Sequence, residues 1–223
     1  MQNQQELTYY LHKNGIIKSK KLFEVFFELD RKDFVLDEQK NLAYLDIPLS
    51  IGYGQTISAP HMHALMAYHL DLEEKKNLKI LEVGTGSGYL TALIKKISTK
   101  STIFSVEPIM ELALFAQKNI LKSGLKALLI EKKEDKPEEE QINIFVKNGY
   151  FGLEEYSLYD RIIVGACYDQ FPNFLIKQLK KNGVLISPIY YEEDGLQHLI
   201  KIKKTSKITI TDLGLVSFVY IQK

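Results

Sequence analysis

A glycine-rich turn constrains the fold of this chain more than any other feature. Glycines at alternate positions, 84, 86 and 88, follow an apolar run of strand length at 78–83, and residues 89–97 then show helical spacing. A second strand-like run at 102–106 leads into another helical pattern. Strand, glycine turn, helix, strand and helix in this order predict a βαβ unit with parallel strands.

The chain upstream of this unit has a helical and then an irregular pattern. Apolar patches between 7 and 29, separated by Asn14 and Gly15, predict two helices joined by a turn. Proline and glycine interrupt residues 33–60, which predicts a long ordered loop, and such loops tend to be functional. Helical spacing resumes at Pro60 and predicts a helix to about residue 71.

The chain downstream of the unit adds strands. Apolar runs predict further strands at 142–146, 161–164 and 184–189. A helix is predicted around 173–179, between the last two of these strands. In the tail, runs at 196–202 and 208–221 have no helix between them, which predicts an antiparallel edge on a parallel sheet. Residues 131–140 carry six acidic residues and three lysines, which is typical of a solvated insertion in a loop.

Composition excludes several classes of protein. Lys and Arg number 29 against 28 Asp and Glu, so the net charge of +1 disfavours an obligate binder of duplex nucleic acid. A single cysteine cannot form an internal disulfide, and no apolar window reaches the roughly 18 residues of a spanning helix. We therefore expect a cytoplasmic protein that binds neither membrane nor nucleic acid, and we expect a monomer.

The glycine turn and a later acidic residue point to a nucleoside-containing cofactor. Glycines allow the backbone to approach a ligand closely, and N–H groups at the next helix start face it. Glu107, about 20 residues on, is placed to accept hydrogen bonds from ribose hydroxyls. The dinucleotide fingerprint would need glycine at 89, where this chain has Tyr89. The sequence EVGTGSG at 82–88 instead resembles the first motif of S-adenosylmethionine-dependent methyltransferases; a turn that only connects strand to helix is the alternative.

The loop before the sheet adds residues whose ordinary interpretation is structural. Taken alone, Ser58 is a helix N-cap ahead of Pro60. His61 and His63 are ordinary residues of a helix start, and their spacing does not match a metal motif. We therefore expect no metal site.

Taken together, these segments resemble the protein-L-isoaspartate (D-aspartate) O-methyltransferase family. The stretch GQTISAPHM at 54–62 is similar to the signature loop of that family, and the similarity continues at 31–35, 159–164, 172, 178–180 and 183–188. The resemblance implies a Rossmann-like S-adenosylmethionine-dependent methyltransferase fold. This is an α/β fold with a mainly parallel twisted sheet, helices on both faces, an antiparallel C-terminal edge and an N-terminal helical cap.

The resemblance also implies an activity and its partners. The methyl group of S-adenosylmethionine would pass to the α-carboxylate of L-isoaspartyl or D-aspartyl residues in damaged proteins and peptides, leaving S-adenosylhomocysteine. The ester would then close to a succinimide, which initiates repair. We expect one methyltransferase domain over 1–223, with N-terminal helices and active-site loop at 1–60, a cofactor-binding core at 78–189 and edge strands at 190–223.

Individual roles follow from the same resemblance. The catalytic serine falls on Ser58, which we expect to orient a carboxylate and not to act as a covalent nucleophile. The expected cofactor-binding residues are Thr56, Ile57, Ser58, His63, Glu82, Gly84, Thr85, Gly86, Ser87, Gly88, Glu107, Pro108, Asn148 and Gly149.

Departures from the family pattern leave alternatives open. Asn148 stands where the family usually has Asp, which predicts weaker cofactor binding, and Ser217 and Tyr220 stand where the family tends to have Arg and Pro. One alternative is a carboxyl methyltransferase with another acceptor, such as aspartate of a modified peptide or a small acid. A second is a nucleotide-binding module with weakened catalysis.

Overall fold

The computed structural model describes residues 1–73, 75–132 and 134–223. The charged segment predicted at 131–140 includes Lys133, which lies outside the described residues. The described parts of this segment lie in turns and irregular backbone, which agrees with the predicted loop. Across the described residues, none of the helices has the length and apolar character needed to cross a membrane.

Two helices form the N-terminal cap, as the periodicity predicts. Helices α1 (Gln4–Lys13) and α2 (Lys20–Glu28) begin at the N-caps Asn3 and Ser19, whose side chains accept backbone N–H groups of the first turn. Their buried apolar residues pack into the same core as the helices that follow the cap. This burial attaches the cap to the body of the protein.

The predicted loop at 33–60 contains more regular structure than expected. Short 3-10 helices span Arg31–Phe34 and Asp37–Leu42, and a two-stranded hairpin follows, formed by β1 (Leu49–Gly52) and β2 (Gln55–Ile57). Helix α3 (Pro60–His69) begins directly after this hairpin. The hairpin and the start of α3 therefore carry the stretch that resembles the family signature.

Among the described residues, eight strands form the main sheet: β3 Lys79–Val83, β4 Thr102–Glu107, β5 Ala127–Ile130, β6 Ile142–Val146, β7 Tyr159–Val164, β8 Leu179–Tyr191, β9 Leu196–Lys204 and β10 Ile208–Val216. Their order in the sheet is β10-β9-β8-β7-β3-β4-β6-β5. Strands β3 to β8 pair in parallel, whereas β8, β9 and β10 pair antiparallel, as predicted.

Helices cover both faces of this sheet, which confirms the predicted fold class. Alternate residues of a strand point to opposite faces, so Ile80 packs in one core with the cap, α4 (Tyr89–Ile97) and α5 (Met110–Lys122). Its neighbour Leu81 packs in the second core with α6 (Asn173–Lys177).

The structure corrects the predicted sheet at both of its edges. Strand β5 lies at the sheet edge, where no strand was predicted. The last strand ends at Val216 and not at Ile221. Beyond Val216 the backbone of Phe218 bonds to a side chain instead of a strand. The side-chain amide of Gln197 accepts the N–H of Phe218 at 2.7 Å and donates to its carbonyl at 3.1 Å. The expected edge at 190–223 therefore consists of strands followed by a tail.

Candidate active site

A large cleft opens at the carboxyl ends of the central parallel strands. Strand β3 is the point where the strand order reverses, since the chain continues to β4 on one side and returns at β7 on the other. Ligands of open α/β sheets bind at such a point. The cleft has about 890 Å³ of empty space, which includes open solvent at its mouth.

The glycine turn forms the base of this cleft. Gly84, Gly86 and Gly88 have φ angles of 92°, 54° and 82°, in the left-handed region that favours glycine. The N–H of Gly84 donates to the carbonyl of Val106 at 2.9 Å, which fixes the turn against β4. Gly88 serves a different purpose, because a Cβ there would lie 3.0 Å from the side chain of Ile120. Gly88 therefore allows α4 to pack closely on α5 and does not line the cleft.

Glu107 ends β4 beside the turn, as the spacing predicts. One carboxylate oxygen accepts the N–H of Gly86 at 2.9 Å and the other accepts the N–H of Ile109 at 3.1 Å. The side chain is nearly buried, and this burial raises its pKa. Each oxygen keeps a lone pair for a further donor, so the carboxylate can accept hydroxyls from a ligand in the cleft.

Glu82 lies behind the glycine turn and not in the cleft. Its carboxyl accepts the hydroxyls of Thr91 and Ser105, each at 2.6 Å, and Ser105 is in turn 2.6 Å from the hydroxyl of Thr85. Complete burial raises the pKa of Glu82 to about 7. Glu82 therefore supports Thr85 from beneath, through Ser105, and does not line the cleft.

Replacing Glu82 with glutamine is expected to remove a pH dependence of stability. As the pH rises from the ordinary value of 4.5 towards 7, the unfolded chain loses this proton while the folded protein keeps it. The free energy of unfolding of the unaltered protein should therefore fall across this window by about 3 kcal/mol more than that of Glu82→Gln. Urea unfolding of both proteins at pH 4.5 and 8 measures this, and parallel pH profiles would contradict the burial argument.

Ser58 follows strand β2 and borders the cleft. The helix-cap interpretation is wrong for this residue, because α3 has Ala59 as its N-cap and Pro60 in its first turn. Ser58 is half-buried and lines both the cleft and a neighbouring groove. Its carbonyl accepts a hydrogen bond from Arg31 at 3.2 Å. The side chain is therefore available to ligands at the boundary between the cleft and the groove.

The two histidines of α3 have different environments. His63 lines the cleft, and complete burial lowers its pKa to about 3, so the ring is neutral at physiological pH. Its Nδ1 has no hydrogen-bond partner among the described residues. His61 is half-buried, and both its backbone N–H and its Nδ1 lie 2.9 Å from the carboxylate of Asp46. Within the described ranges, no cluster of three metal-ligating side chains occurs.

Asn148 and Gly149 lie after β6 at the far end of the cleft. The side-chain oxygen of Asn148 accepts the N–H of Tyr150 at 2.8 Å, so part of its acceptor capacity is used within the turn. A Cβ at Gly149 would lie 3.0 Å from the side chain of Val106, which brings the backbone close to the sheet. The position leaves the amide group of Asn148 exposed at the cleft.

The C-terminal tail, residues 217–223, forms one side of the cleft. The sequence pattern did not predict this position. The N–H of Cys167 donates to the carbonyl of Val219 at 2.8 Å, and the N–H of Ile221 donates to the carbonyl of Cys167 at 3.0 Å. These bonds hold the tail against the chain that follows β7. The alternating apolar residues of the tail resemble a strand, so no signal in their pattern distinguishes a cleft wall from an edge strand.

The cleft thus gathers most of the predicted residues. Those that line it are Thr56, Ile57, Ser58, His63, Gly84, Thr85, Gly86, Ser87, Glu107, Pro108, Asn148 and Gly149. Residues that line it without having been predicted include Gln55, Met66, Val83, Leu90, Val106, Ile109, Gly165, Ala166 and residues 218–222.

Known proteins are similar in sequence to almost the whole chain. The family model for protein-L-isoaspartate(D-aspartate) O-methyltransferase matches residues 2–223. The protein-L-isoaspartate O-methyltransferase of Thermosipho melanesiensis is 41% identical over 94% of this chain and 97% of its own length. That of Pyrococcus horikoshii is 39% identical over 94% of this chain and 88% of its own.

A solved structure agrees with these matches. A putative protein-L-isoaspartate O-methyltransferase from Plasmodium falciparum, in complex with S-adenosyl-L-homocysteine, superposes with a TM-score of 0.80 at 30% identity. The match covers 100% of this chain and 99% of that one. The present chain therefore belongs to the protein-L-isoaspartate(D-aspartate) O-methyltransferase family.

Proposed function

We propose that this protein transfers a methyl group from S-adenosylmethionine to the α-carboxylate of L-isoaspartyl and D-aspartyl residues in damaged proteins and peptides. The methyl ester that forms can lose its methoxide as methanol, whereas a carboxylate has no comparable leaving group. The neighbouring backbone nitrogen can therefore close a succinimide, which hydrolyses in part to normal aspartate. The observation that carries the proposal is a cleft at the carboxyl ends of the central strands that continues into a groove at Ser58, in a chain matched by this family along almost its whole length.

The residues of the cleft fit this cofactor. Glu107 offers two carboxylate oxygens with free lone pairs for the ribose hydroxyls, and the glycine turn leaves backbone close to the ligand. Apolar side chains, among them Ile57, Val106 and Ile109, can pack against adenine. The unpartnered Nδ1 of the buried His63 is a further group that a ligand can satisfy. When bound, the cofactor supplies a methyl group on a positively charged sulfur.

The groove beside the cleft is the proposed place of the substrate. Cleft and groove share five lining residues, Thr56, Ser58, Gly165, Phe218 and Val219. At this boundary a carboxylate in the groove can face a methyl group held in the cleft. The substrate carboxylate is already ionised at neutral pH, because unperturbed carboxyl groups have pKa values of roughly 3.3 to 4.3. The chain therefore needs no general base, and its task is to position the carboxylate and exclude water.

Ser58 is proposed to donate a hydrogen bond that orients the substrate carboxylate. Replacing Ser58 with alanine should lower kcat for an isoaspartyl peptide about 10-fold, since a poorly oriented nucleophile reacts more slowly. The dissociation constant of the cofactor should change less than about 3-fold, because most of its contacts lie elsewhere in the cleft. Steady-state kinetics and calorimetric titration with S-adenosylhomocysteine measure the two quantities.

Ser50 provides a matched control for this change. It lies in β1 of the same hairpin, is exposed and does not line the cleft or the groove. Ser50→Ala should therefore keep the kcat of the unaltered protein. An unchanged kcat in Ser58→Ala would remove Ser58 from the proposed mechanism.

A second candidate function keeps the cofactor and changes the acceptor. Ser217 lines the groove at the position where the family tends to have Arg, so the groove of this chain has one cation fewer next to its substrate. A carboxyl methyltransferase acting on aspartate of a modified peptide, or on a small acid, is compatible with that change.

A repair assay tests the proposed function. An isoaspartyl peptide is incubated with the protein and S-adenosylmethionine, and the peptide forms are separated by chromatography over several hours. The proposal expects the isoaspartyl form to decrease and the aspartyl form to accumulate, through a succinimide, only when the cofactor is present. If the isoaspartyl form stays unchanged but the protein methylates aspartate of a modified peptide or a small acid, the second candidate function is supported.

Residues 1–223 are further proposed to act as one domain and as a monomer in the cytoplasm. The N-terminal helices share a core with the sheet, which supports a single domain. The buried, unpaired Cys167 is compatible with a reducing compartment.

A further inference from the structure

Arg31 is an arginine buried within a set of backbone carbonyls. Its side chain is fully buried, with an exposed fraction of 0%. Nη1 donates to the carbonyl of Ala43 at 2.7 Å, and Nη2 donates to the carbonyls of Ile47 at 3.1 Å and Ser58 at 3.2 Å. Burial lowers the pKa of Arg31 to about 10, so the group remains a cation at neutral pH.

The two acceptors of Nη2 lie at the two ends of one hairpin. Ile47 comes just before β1, and Ser58 comes just after β2. One nitrogen therefore holds together the ends of a hairpin whose second strand lines the cleft. Because the carbonyl of Ser58 is held, its backbone position relative to the cleft depends on the guanidinium.

The N-terminal cap holds the backbone of Arg31 in turn. The side-chain oxygen of Gln4 accepts the N–H of Arg31 at 3.1 Å, and the amide nitrogen of Gln4 donates to the carbonyl of Phe26. Gln4 is itself buried, with an exposed fraction of 2%. A continuous set of hydrogen bonds thus runs from α1 and α2 through Arg31 to the residue proposed to orient the substrate.

From this geometry we propose that Arg31 is a positioning residue for methyl transfer, which clamps the ends of the β1–β2 hairpin and thereby sets the place of Ser58. The inference rests on the proposed function, since it assigns Ser58 to the reaction. Arg31 does not line the cleft, so it acts through Ser58 and not on the ligands directly. Lysine cannot replace it, because a single ammonium nitrogen cannot reproduce the spacing of the two guanidinium nitrogens.

Arg161 is a matched control within the same chain. It is also buried and donates mainly to backbone carbonyls, those of Leu70 at 2.6 Å, Asp71 at 2.8 Å and Asp160 at 2.7 Å. It lies in β7 before the end that forms the cleft, and it does not line the cleft. Its replacement by lysine should therefore lower stability without changing turnover.

A double-mutant cycle on kcat with an isoaspartyl peptide tests the inference. Arg31→Lys should lower kcat about 10-fold in the otherwise unaltered protein, because a small displacement of a positioning group is costly. In the Ser58→Ala background the same change should cost less than about 2-fold, since the two residues act as one unit. Arg161→Lys should lower Tm and leave kcat, per folded molecule, unchanged.

Three results would overturn the inference. The first is an unchanged kcat in Arg31→Lys. The second is evidence that Arg31 does not act through the Ser58 hydroxyl: either Arg31→Lys lowers kcat equally with and without this hydroxyl, or Ser58→Ala alone leaves kcat unchanged. The third is an equal loss of kcat in Arg161→Lys, which would mean that any buried arginine matters through stability alone.

Hydrogen exchange separates this inference from the proposed function. If the unaltered protein does not methylate the isoaspartyl peptide, the proposed function fails. The clamp is then measured by amide exchange in the β1–β2 hairpin without substrate. Faster exchange in Arg31→Lys than in Arg161→Lys supports the clamp, and equal exchange overturns it.

A second variant serves if Arg31→Lys does not fold. Gln4→Met keeps the guanidinium but removes the acceptor of the Arg31 N–H. It should lower kcat in the same direction by a smaller factor, and this effect should again disappear in the Ser58→Ala background. Independent effects of the two changes would overturn the inference.

Discussion

Replacing Glu107 with glutamine is expected to weaken binding of S-adenosylmethionine about 100-fold, which is the largest effect on ligand binding that we expect in this protein. The carboxylate accepts the N–H groups of both Gly86 and Ile109. A glutamine amide can accept only one of them and turns its NH₂ group towards the other. The change therefore disturbs the glycine turn and also removes charge-assisted acceptors for the ribose hydroxyls.

Calorimetric titration with S-adenosylhomocysteine measures this loss. Glu111→Gln is the matched control, because Glu111 is an exposed glutamate in the first turn of α5. The Glu111→Gln variant should bind S-adenosylhomocysteine with the affinity of the unaltered protein. A dissociation constant for Glu107→Gln within about 3-fold of that value would contradict the placement of the ribose at Glu107.

Gly152→Ala is expected to destabilise the fold by about 3 kcal/mol. Gly152 has a φ of 76°, and a Cβ there would lie 2.6 Å from Oε1 of Gln178 and 2.8 Å from the side chain of Leu175. Gln178 cannot move freely, since it accepts the N–H of Leu153 and donates to the carbonyl of Phe151. Backbone strain and overlap therefore add.

Thermal unfolding measures this effect against Gly124→Ala. Gly124 has a similar φ of 80°, but no atom lies within 4 Å of a Cβ placed there. Gly124→Ala should therefore show the strain alone, a fall in Tm of about 2–4 °C, against about 6–12 °C for Gly152→Ala. Equal falls in Tm would show that the overlap at Gly152 relaxes without cost.

The parts of the fold that could be predicted are those with long periodic patterns. The βαβ unit around the glycine turn combines a buried strand, a turn that needs positive φ and an amphipathic helix, so several signals agree. Strand β5 has only four residues, two of them half-buried at a sheet edge, and it runs directly into the charged segment. The β1–β2 hairpin was missed because its strands are as short and Gly52 and Gly54 interrupt them.

The candidate site divides in the same way. Local spacing predicts the glycine turn and Glu107 as parts of the site. Ser58 is predicted there only by the family resemblance, because its local sequence pattern indicates a helix cap. Glu82 was expected in the cleft, but its carboxyl is held behind the turn by Thr91 and Ser105. Bonds with Gln197 and Cys167, which are distant in sequence, hold the tail at the cleft. Such long-range contacts have no local signature.

Two matched peptides identify the acceptor of the methyl group. The peptides are identical except that one contains isoaspartate and the other aspartate, and both are offered S-adenosylmethionine with a labelled methyl group. The proposed function predicts base-labile label on the isoaspartyl peptide alone. Label on the aspartyl peptide to the same extent, or on neither peptide although the cofactor binds, would contradict it.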